Sequence, residues 1–244
     1  MSASLWLLPV SLGGDAWPAY LPAASHAVAC RLQHFVVENA KTARAELKRL
    51  GHPTLLRELQ IEQLPENPTA ADIERLLTPL LQGHDLGLMS EAGCPAVADP
   101  GARLVRRVHE LAPTLEIGVR PAVRPMVGPS SLLLALMASG LDGQRFAFHG
   151  YLPARDPERR QRIVELERES QQRQQTQLFI ETPYRNRTLF DALLADCHPT
   201  TRLCIATDLT LTSEAIATRR CAAWKNAPAP EIDKRPTVFL LLAE

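Results

Sequence analysis

Apolar and polar positions alternate in two ways along the first half of the chain. Compact apolar runs are typical of buried β-strands and are found at 5–10, 34–38, 86–89 and 115–119. Apolar residues at helical spacing predict amphipathic helices at 41–50, 70–81 and 104–111. Strands that alternate with helices in this way favour a mostly parallel sheet, so the first half is predicted to be an α/β domain.

The pattern changes after residue 145, where longer polar loops separate the elements. Further strands are predicted at 146–148, 178–181, 203–206 and 237–242, and a heavily charged helix from 156 to 172. The arginine- and proline-containing segment near Arg124 is typical of a linker. We therefore predict two α/β domains, at 1–124 and 125–244, the first with a mostly parallel sheet and the second with a mixed one.

The composition fits a globular protein whose charge is balanced. Of its 244 residues 45% are hydrophobic, and 27 basic residues balance 27 acidic ones. Because the net charge is zero, no overall electrostatic attraction to nucleic acid or to an anionic membrane is expected, and any contact with RNA must depend on a local basic patch. The densest basic cluster is interpreted as the exposed face of a helix and contains Arg155, Arg159, Arg160 and Arg162.

The cysteines and the apolar runs indicate a cytoplasmic protein without a metal site or a membrane segment. The five cysteines are scattered without zinc-site spacing, so we interpret them as reduced thiols. The run 132–138 is too short to cross a bilayer. The run 5–8 has no preceding basic residues, which favours a strand over a signal peptide.

Three strand-to-helix loops carry small residues and glycine–proline pairs. The loop 90–101 has two glycines and two prolines in twelve residues, which predicts an unusual backbone path and close approach of a ligand. The loop 11–15 lacks the full dinucleotide-binding glycine pattern, so a Rossmann cofactor site fits poorly. In the loop 127–131, Ser130 and Ser131 could bind a ligand or simply cap the next helix.

Two strand ends carry charged residues with open interpretations. Glu38 could bind substrate, or it could cap or pair with the following helix, whose basic face includes Lys41. The stretch 181–185 places a carboxylate, a hydroxyl, a phenol and a guanidinium together. Arg185 could grip a phosphate or carboxylate, or it could form a structural ion pair with Glu181.

Four ordered motifs, at 90–101, 127–131, 151–153 and 181–185, resemble those of the tetrapyrrole methylase superfamily. The ribosomal RNA small subunit methyltransferase I group, which methylates cytidine 2′-hydroxyls, is most similar, and the chain would be a short, divergent member. The resemblance implies a two-domain class III methyltransferase, usually a homodimer, that binds S-adenosylmethionine between its domains. Departures from the group pattern include Glu91 in place of aspartate and the loss of two basic residues within 207–211.

The resemblance also implies which residues bind the cofactor and the substrate. Those implied to bind the cofactor are Pro9, Leu12, Gly13, Gly93, Cys94, Pro95, Ala98, Ser130, Ser131, Glu181, Thr182, Ala206 and Leu209. Lys41 and Arg185 are the candidate substrate-binding residues. An RNA 2′-hydroxyl needs a base near its proton, and the candidate carboxylates are Glu38, Glu91 and Glu181. The alternatives are methylation of a small, tetrapyrrole-like molecule and a non-catalytic cofactor- or RNA-binding protein.

Overall fold

The computed structural model describes residues 3–14, 16–114 and 120–244. They form two compact units that divide after Ser130. The predicted strand at 115–119 lies outside the described residues. The predicted boundary after Arg124 falls within a strand of the first unit, because the segment Ala122–Pro125 pairs with the first strand of the chain.

The first unit is a five-stranded parallel sheet with helices on both faces. Its strands are β1 (Ser4–Leu7), β2 (His34–Val37), β3 (Gln60–Gln63), β4 (Leu86–Met89) and β5 (Ala122–Pro125), in the order β3-β2-β4-β1-β5. Its helices are α1 (Ala23–Arg31), α2 (Ala40–Arg49), α3 (Ala70–Leu81) and α4 (Gly101–Leu111), with 3-10 turns at Trp17–Ala19 and Ala112–Thr114. The predicted mostly parallel sheet is confirmed.

Alternating side chains of β2 build a core on each face of this sheet. Phe35 and Val37 belong to the cluster formed with α1 and α2, whereas Val36 belongs to the cluster formed with α3 and α4. On α3, the four apolar residues at helical spacing are all buried, as predicted. A capping box between Thr69 and Asp72 fixes where α3 begins.

The second unit is a five-stranded mixed sheet, as predicted. Its strands are β6 (Phe146–Tyr151), β7 (Thr176–Ile180), β8 (Arg202–Thr207), β9 (Ala215–Arg220) and β10 (Thr237–Leu242), in the order β6-β7-β10-β8-β9. Its helices are α5 (Ser131–Ser139), α6 (Glu158–Arg173), α7 (Asn186–Asp196) and α8 (Cys221–Lys225), with a 3-10 turn at Pro183–Arg185.

The strand directions bring several loops of the second unit to one edge. β6 and β7 are parallel, and β10 is antiparallel to both β7 and β8. The carboxyl ends of β6, β7 and β8 therefore lie at the same edge as the start of β10. Stacked Phe179 and Phe239, with ring centroids 6.0 Å apart, occupy the core beneath this sheet.

Among the residues that the structure describes, no helix is long and apolar enough to cross a membrane. In the same ranges, no three histidine, cysteine or acidic side chains are grouped closely enough to hold a metal ion. All five cysteines have free thiols, and Cys197, Cys204 and Cys221 are buried.

Candidate functional site

Three loops that the sequence singled out are joined at the carboxyl edge of the parallel sheet. The Val10 N–H donates to the Gly93 carbonyl oxygen at 2.9 Å, and the Gly93 N–H donates to that of Val10 at 3.0 Å. The Cys94 thiol donates to the Pro129 carbonyl oxygen at 3.3 Å. The loops after β1, β4 and β5 therefore form one assembly, at the edge where open α/β sheets bind ligands.

Two glycines shape these loops, Gly128 by allowing close packing and Gly93 by its backbone conformation. A Cβ atom added at Gly128 would lie 2.2 Å from Cβ and 2.6 Å from Cγ of Pro9. Gly93 has a φ of +73°, a left-handed conformation that side chains other than glycine disfavour. Leu12 lies next to Gly93, since a Cβ there would be 3.5 Å from the Leu12 Cδ2.

The loop after β4 follows the unusual backbone path that its sequence predicted. Ala96 and Ala98 have φ values of 67° and 61°, which are costly for residues with a Cβ atom. Asp99 holds the turn, because its carboxylate accepts the N–H of Ala96 at 2.8 Å and that of Gly101 at 2.6 Å. Ala98 is exposed, so the strained backbone is open to solvent.

Glu38 lies beside this loop. Its Oε2 accepts the Glu91 N–H at 2.9 Å, and the side chain of Glu91 is itself exposed. Burial raises the pKa of the Glu38 carboxyl, and the negative charges of Asp99 and Glu91 also raise it, against the lowering effect of the hydrogen bond from the Glu91 N–H; the net direction is upward. The cluster therefore combines a half-buried carboxylate of increased basicity with a strained loop.

The alternative interpretation of Glu38 as the cap of α2 is wrong. Asn39 is the cap, since its side-chain oxygen accepts the N–H of Lys41 at 2.9 Å and that of Thr42 at 3.2 Å. Asparagine satisfies these donors without a charge, which leaves the Glu38 carboxylate for the contact with the loop after β4. The Lys41 side chain is exposed at the same edge.

The loop after β1 rests on a buried carboxylate that the sequence did not indicate. Glu46 is 2% exposed and accepts the Ser11 N–H at 3.3 Å, the Tyr20 hydroxyl at 2.7 Å and the Arg49 guanidinium at 2.8 Å. Ser11 in turn accepts the Gly13 N–H at 3.0 Å. Burial and the neighbouring Glu46 raise the pKa of Tyr20 well above its usual value. The only sequence signal was the position of Glu46 next to Leu47, on the apolar side of α2.

In the second unit, the structural ion pair between Glu181 and Arg185 is confirmed. Oε1 of Glu181 accepts the Nη2 of Arg185 at 2.6 Å, its Nε at 3.0 Å and the Thr182 N–H at 2.6 Å. The Glu181 side chain is 2% exposed, whereas that of Arg185 is 42% exposed. The Glu181 carboxylate therefore binds Arg185, and part of the Arg185 guanidinium stays exposed to solvent.

The remaining predicted site residues lie at strand or helix ends. Pro9 and Pro95 are buried, and Gly13 is exposed. Ala206 and Leu209, at and just beyond the end of β8, are also buried. Ser131 is the first residue of α5 and Ser130 precedes it, so the capping and ligand-binding alternatives for these serines stay open.

The basic cluster of α6 is largely neutralised. Arg159 pairs with Asp156 at 2.9 Å and Arg160 with Asp196 at 3.0 Å, while Arg162 pairs with acidic residues of its own helix. Arg160 is 72% exposed, in accord with the interpretation of an exposed helix face, but Arg159 is only 12% exposed. Three of the four arginines of the cluster, Arg159, Arg160 and Arg162, are therefore paired with carboxylates.

Comparison with known proteins identifies relatives by sequence. The chain is 32% identical over 171 residues to ribosomal RNA small subunit methyltransferase I of Xylella fastidiosa, covering 70% of this chain and 58% of that protein. Proteins of the same name match in Escherichia coli O157:H7, at 34% identity over 59% of this chain and 46% of theirs, and in Pseudomonas aeruginosa, at 39% over 46% and 35%. The matched part thus spans less than two thirds of each relative. No protein-family model matches the chain.

Solved structures identify the fold. The methyltransferase CobJ matches with a TM-score of 0.63 and 16% identity, over 99% of this chain and 95% of that one. Uroporphyrin-III-C-methyltransferase from Thermus thermophilus matches with a TM-score of 0.54 and 18% identity, over 99% and 93%. The predicted tetrapyrrole methylase fold is confirmed, and the curated relatives belong to the group that the motifs resemble.

Proposed function

We propose that this chain, a homologue of the ribosomal RNA small subunit methyltransferase I proteins with a tetrapyrrole methylase fold, is an S-adenosylmethionine-dependent methyltransferase. The observation that carries the proposal is the joining of three strand-end loops through Val10, Gly93, Cys94 and Pro129. Loops far apart in sequence are held together at the edge where α/β folds bind ligands.

The residues at this edge fit the flat adenine ring of S-adenosylmethionine. Gly13, Val97, Ala98 and Val127 are all exposed there, so small and apolar groups face solvent beside the backbone. We propose that the cofactor-binding residues are those implied by the motifs, and within the second unit these include Glu181, Thr182, Ala206 and Leu209. When bound, S-adenosylmethionine supplies a methyl group already activated by its sulfonium.

The chain itself then has to orient the nucleophile and to remove the proton of that nucleophile. Alignment of a nucleophile with the methyl–sulfur bond is catalysis by proximity, and it needs rigid loops. Glu38 is the best candidate base of the three, because its basicity is increased and its position is fixed by the Glu91 N–H. Glu181 is held by Arg185, and Glu91 is exposed.

The proposed acceptor is a cytidine 2′-hydroxyl of small-subunit ribosomal RNA, which agrees with the names of the relatives. Lys41 and the open side of Arg185 are the proposed phosphate contacts. This substrate implies a cytoplasmic location, and we further propose a homodimer. Light scattering coupled to size exclusion tests the latter, since a monomer at micromolar concentration would contradict it.

Calorimetry with S-adenosylmethionine and S-adenosylhomocysteine tests cofactor binding. We expect measurable heat and a raised unfolding temperature with both compounds, because a ligand that binds only the folded state stabilises it. Absence of both signals would refute the proposed function. The substrate is tested separately by mapping ribose methylation of small-subunit rRNA with and without the gene, and an unchanged map would exclude this acceptor.

One observation favours a small-molecule acceptor instead. Arg159, Arg160 and Arg162 of α6 are paired with carboxylates, and the chain has no net charge, so these three arginines offer little free positive charge to a phosphate backbone. Methyl transfer to a tetrapyrrole such as uroporphyrinogen, with no transfer to ribosomal subunits, would support this alternative. Binding of the cofactor without turnover of either acceptor would instead indicate a non-catalytic protein.

A further inference from the structure

We propose that Arg235 is a positioning residue that holds the ends of β7 and β8 in the geometry needed for cofactor binding. It belongs to residues 231–236, the last part of the connection between α8 and β10, which are called the strap below. The strap lies at the edge of the mixed sheet where both strands end. The proposal rests on the proposed function, since it concerns the strand ends assigned to the cofactor.

Arg235 joins the strap to the loop after β8. Its Nε donates to Asp208 Oδ2 at 2.9 Å and its Nη2 to the Ser213 carbonyl oxygen at 2.6 Å. The Ser213 hydroxyl donates to the same Asp208 oxygen at 2.6 Å. The Asp208 N–H donates to the Pro236 carbonyl oxygen at 2.9 Å. One guanidinium and one carboxylate thus fix both sides of this loop.

Asn186 joins the strap to the segment after β7. This side chain is 0% exposed, and its Nδ2 donates to the carbonyl oxygens of Ile232 at 3.0 Å and Arg235 at 2.7 Å. The Lys234 N–H donates to the Pro183 carbonyl oxygen at 3.1 Å. The same short segment therefore connects the end of β7 with the end of β8.

The backbone in this region needs such support. Asp208, Thr210 and Lys234 have φ values of 50°, 72° and 59°, which are left-handed conformations that favour glycine and are costly for residues with a Cβ atom. Conformations of this kind persist only where surrounding contacts enforce them. The Arg235–Asp208 pair is well placed to do so, because its side chains are only 23% and 9% exposed.

A loop ordered before the ligand arrives gives up less conformational freedom on binding. Without the guanidinium, the loop after β8 would sample other conformations, and Ala206 and Leu209 would be less well placed. We expect the loss to appear mainly as faster dissociation, as is usual for changes at a binding site. No contact between Arg235 and the cofactor is needed for this effect.

The test compares Arg235→Met with Arg202→Met in the full chain. Arg202 forms an ion pair with Glu244 at 2.6 Å, at the opposite edge of the same sheet, so both variants lose an arginine–carboxylate pair. We expect Arg235→Met to bind S-adenosylhomocysteine about tenfold more weakly, which corresponds to about one charge-assisted hydrogen bond. Arg235→Lys should recover part of the affinity, and Arg202→Met should bind like the wild type.

The outcomes separate this inference from the proposed function. A wild-type protein that does not bind S-adenosylhomocysteine refutes the proposed function, and the positioning role falls with it. A wild type that binds, together with an Arg235→Met variant of equal affinity, refutes the positioning role alone. Equal weakening by Arg202→Met also refutes it, because general loss of stability would then explain the effect. If Arg235→Met does not fold, Arg235→Lys takes its place, because lysine keeps the charge but cannot reach Asp208 and the Ser213 carbonyl oxygen together, and an unchanged affinity in that variant refutes the role.

Discussion

Replacing Gly128 with alanine tests whether the loops after β1 and β5 depend on close packing. The added Cβ would lie 2.2 Å from Cβ and 2.6 Å from Cγ of Pro9, far inside van der Waals contact. A proline ring is bonded to its own backbone, so it cannot turn away as a flexible side chain would. Relief requires movement of the backbone, which the hydrogen bonds between Val10 and Gly93 oppose.

The size of the effect follows from two opposing terms. Overpacking of a well-packed site costs about 1–3 kcal/mol of unfolding free energy. Gly128 does not have a positive φ, so alanine there regains about 0.4–1 kcal/mol by restricting the unfolded chain. The expected net loss is about 1–2 kcal/mol, equivalent to a fall in Tm of roughly 2–8 °C for a chain of this size.

Thermal unfolding and S-adenosylhomocysteine titration measure the two consequences. We expect Gly128→Ala to lower Tm and to weaken binding, because the displaced loop is part of the proposed site. Gly143→Ala is the matched control, since a Cβ there meets nothing within 4 Å and its φ is not positive. A Gly128→Ala protein that unfolds at or above the wild-type temperature would refute the packing argument.

Four further changes probe the same unit. Glu38→Gln should reduce kcat about 100-fold or more while leaving cofactor affinity unchanged, and a variant of normal rate would exclude Glu38 as the base. Asp99→Asn removes a negative charge that raises the pKa of Glu38, so the acid limb of kcat/KM should move to lower pH; a limb that stays or rises contradicts this. Ala98→Gly should raise the unfolding free energy by up to ~1 kcal/mol in denaturant titration, since glycine adopts a φ of 61° without a Cβ clash. Glu46→Gln should lower the unfolding free energy by about 1–3 kcal/mol, and an unchanged unfolding free energy would show that the buried hydrogen bonds of Glu46 contribute nothing to stability.

Burial on both faces explains why the central strands of the parallel sheet can be predicted from the sequence. β2 and β4 are apolar runs because their side chains pack against helices on both sides of the sheet. β3 (Gln60–Gln63) and β5 (Ala122–Pro125) are edge strands with polar or proline residues, and neither was predicted. β9 (Ala215–Arg220) was also missed, since it is an edge strand that ends in two arginines.

The candidate site could be predicted from the sequence where the residue type itself determines the backbone conformation. Gly93 and the prolines around it indicated an unusual loop, and its left-handed conformation agrees. Glu46 and Arg235 gave no comparable signal, because a glutamate in a charged helix and an arginine in a polar loop are typical surface residues. Their buried partners, Ser11 and Asp208, come from distant parts of the chain, so only the folded structure identifies them.

The three candidate bases show why residue type alone does not identify the catalytic base. Glu38, Glu91 and Glu181 all follow strands, and nothing in their sequence context ranked them. The structure gives each a different environment: Glu181 is held by a guanidinium, Glu91 is exposed, and Glu38 is half-buried near two other carboxylates. Burial and the neighbouring negative charges raise the pKa of the Glu38 carboxyl. Proton acceptance near neutral pH therefore favours Glu38, and the pH profile of Asp99→Asn tests the cause.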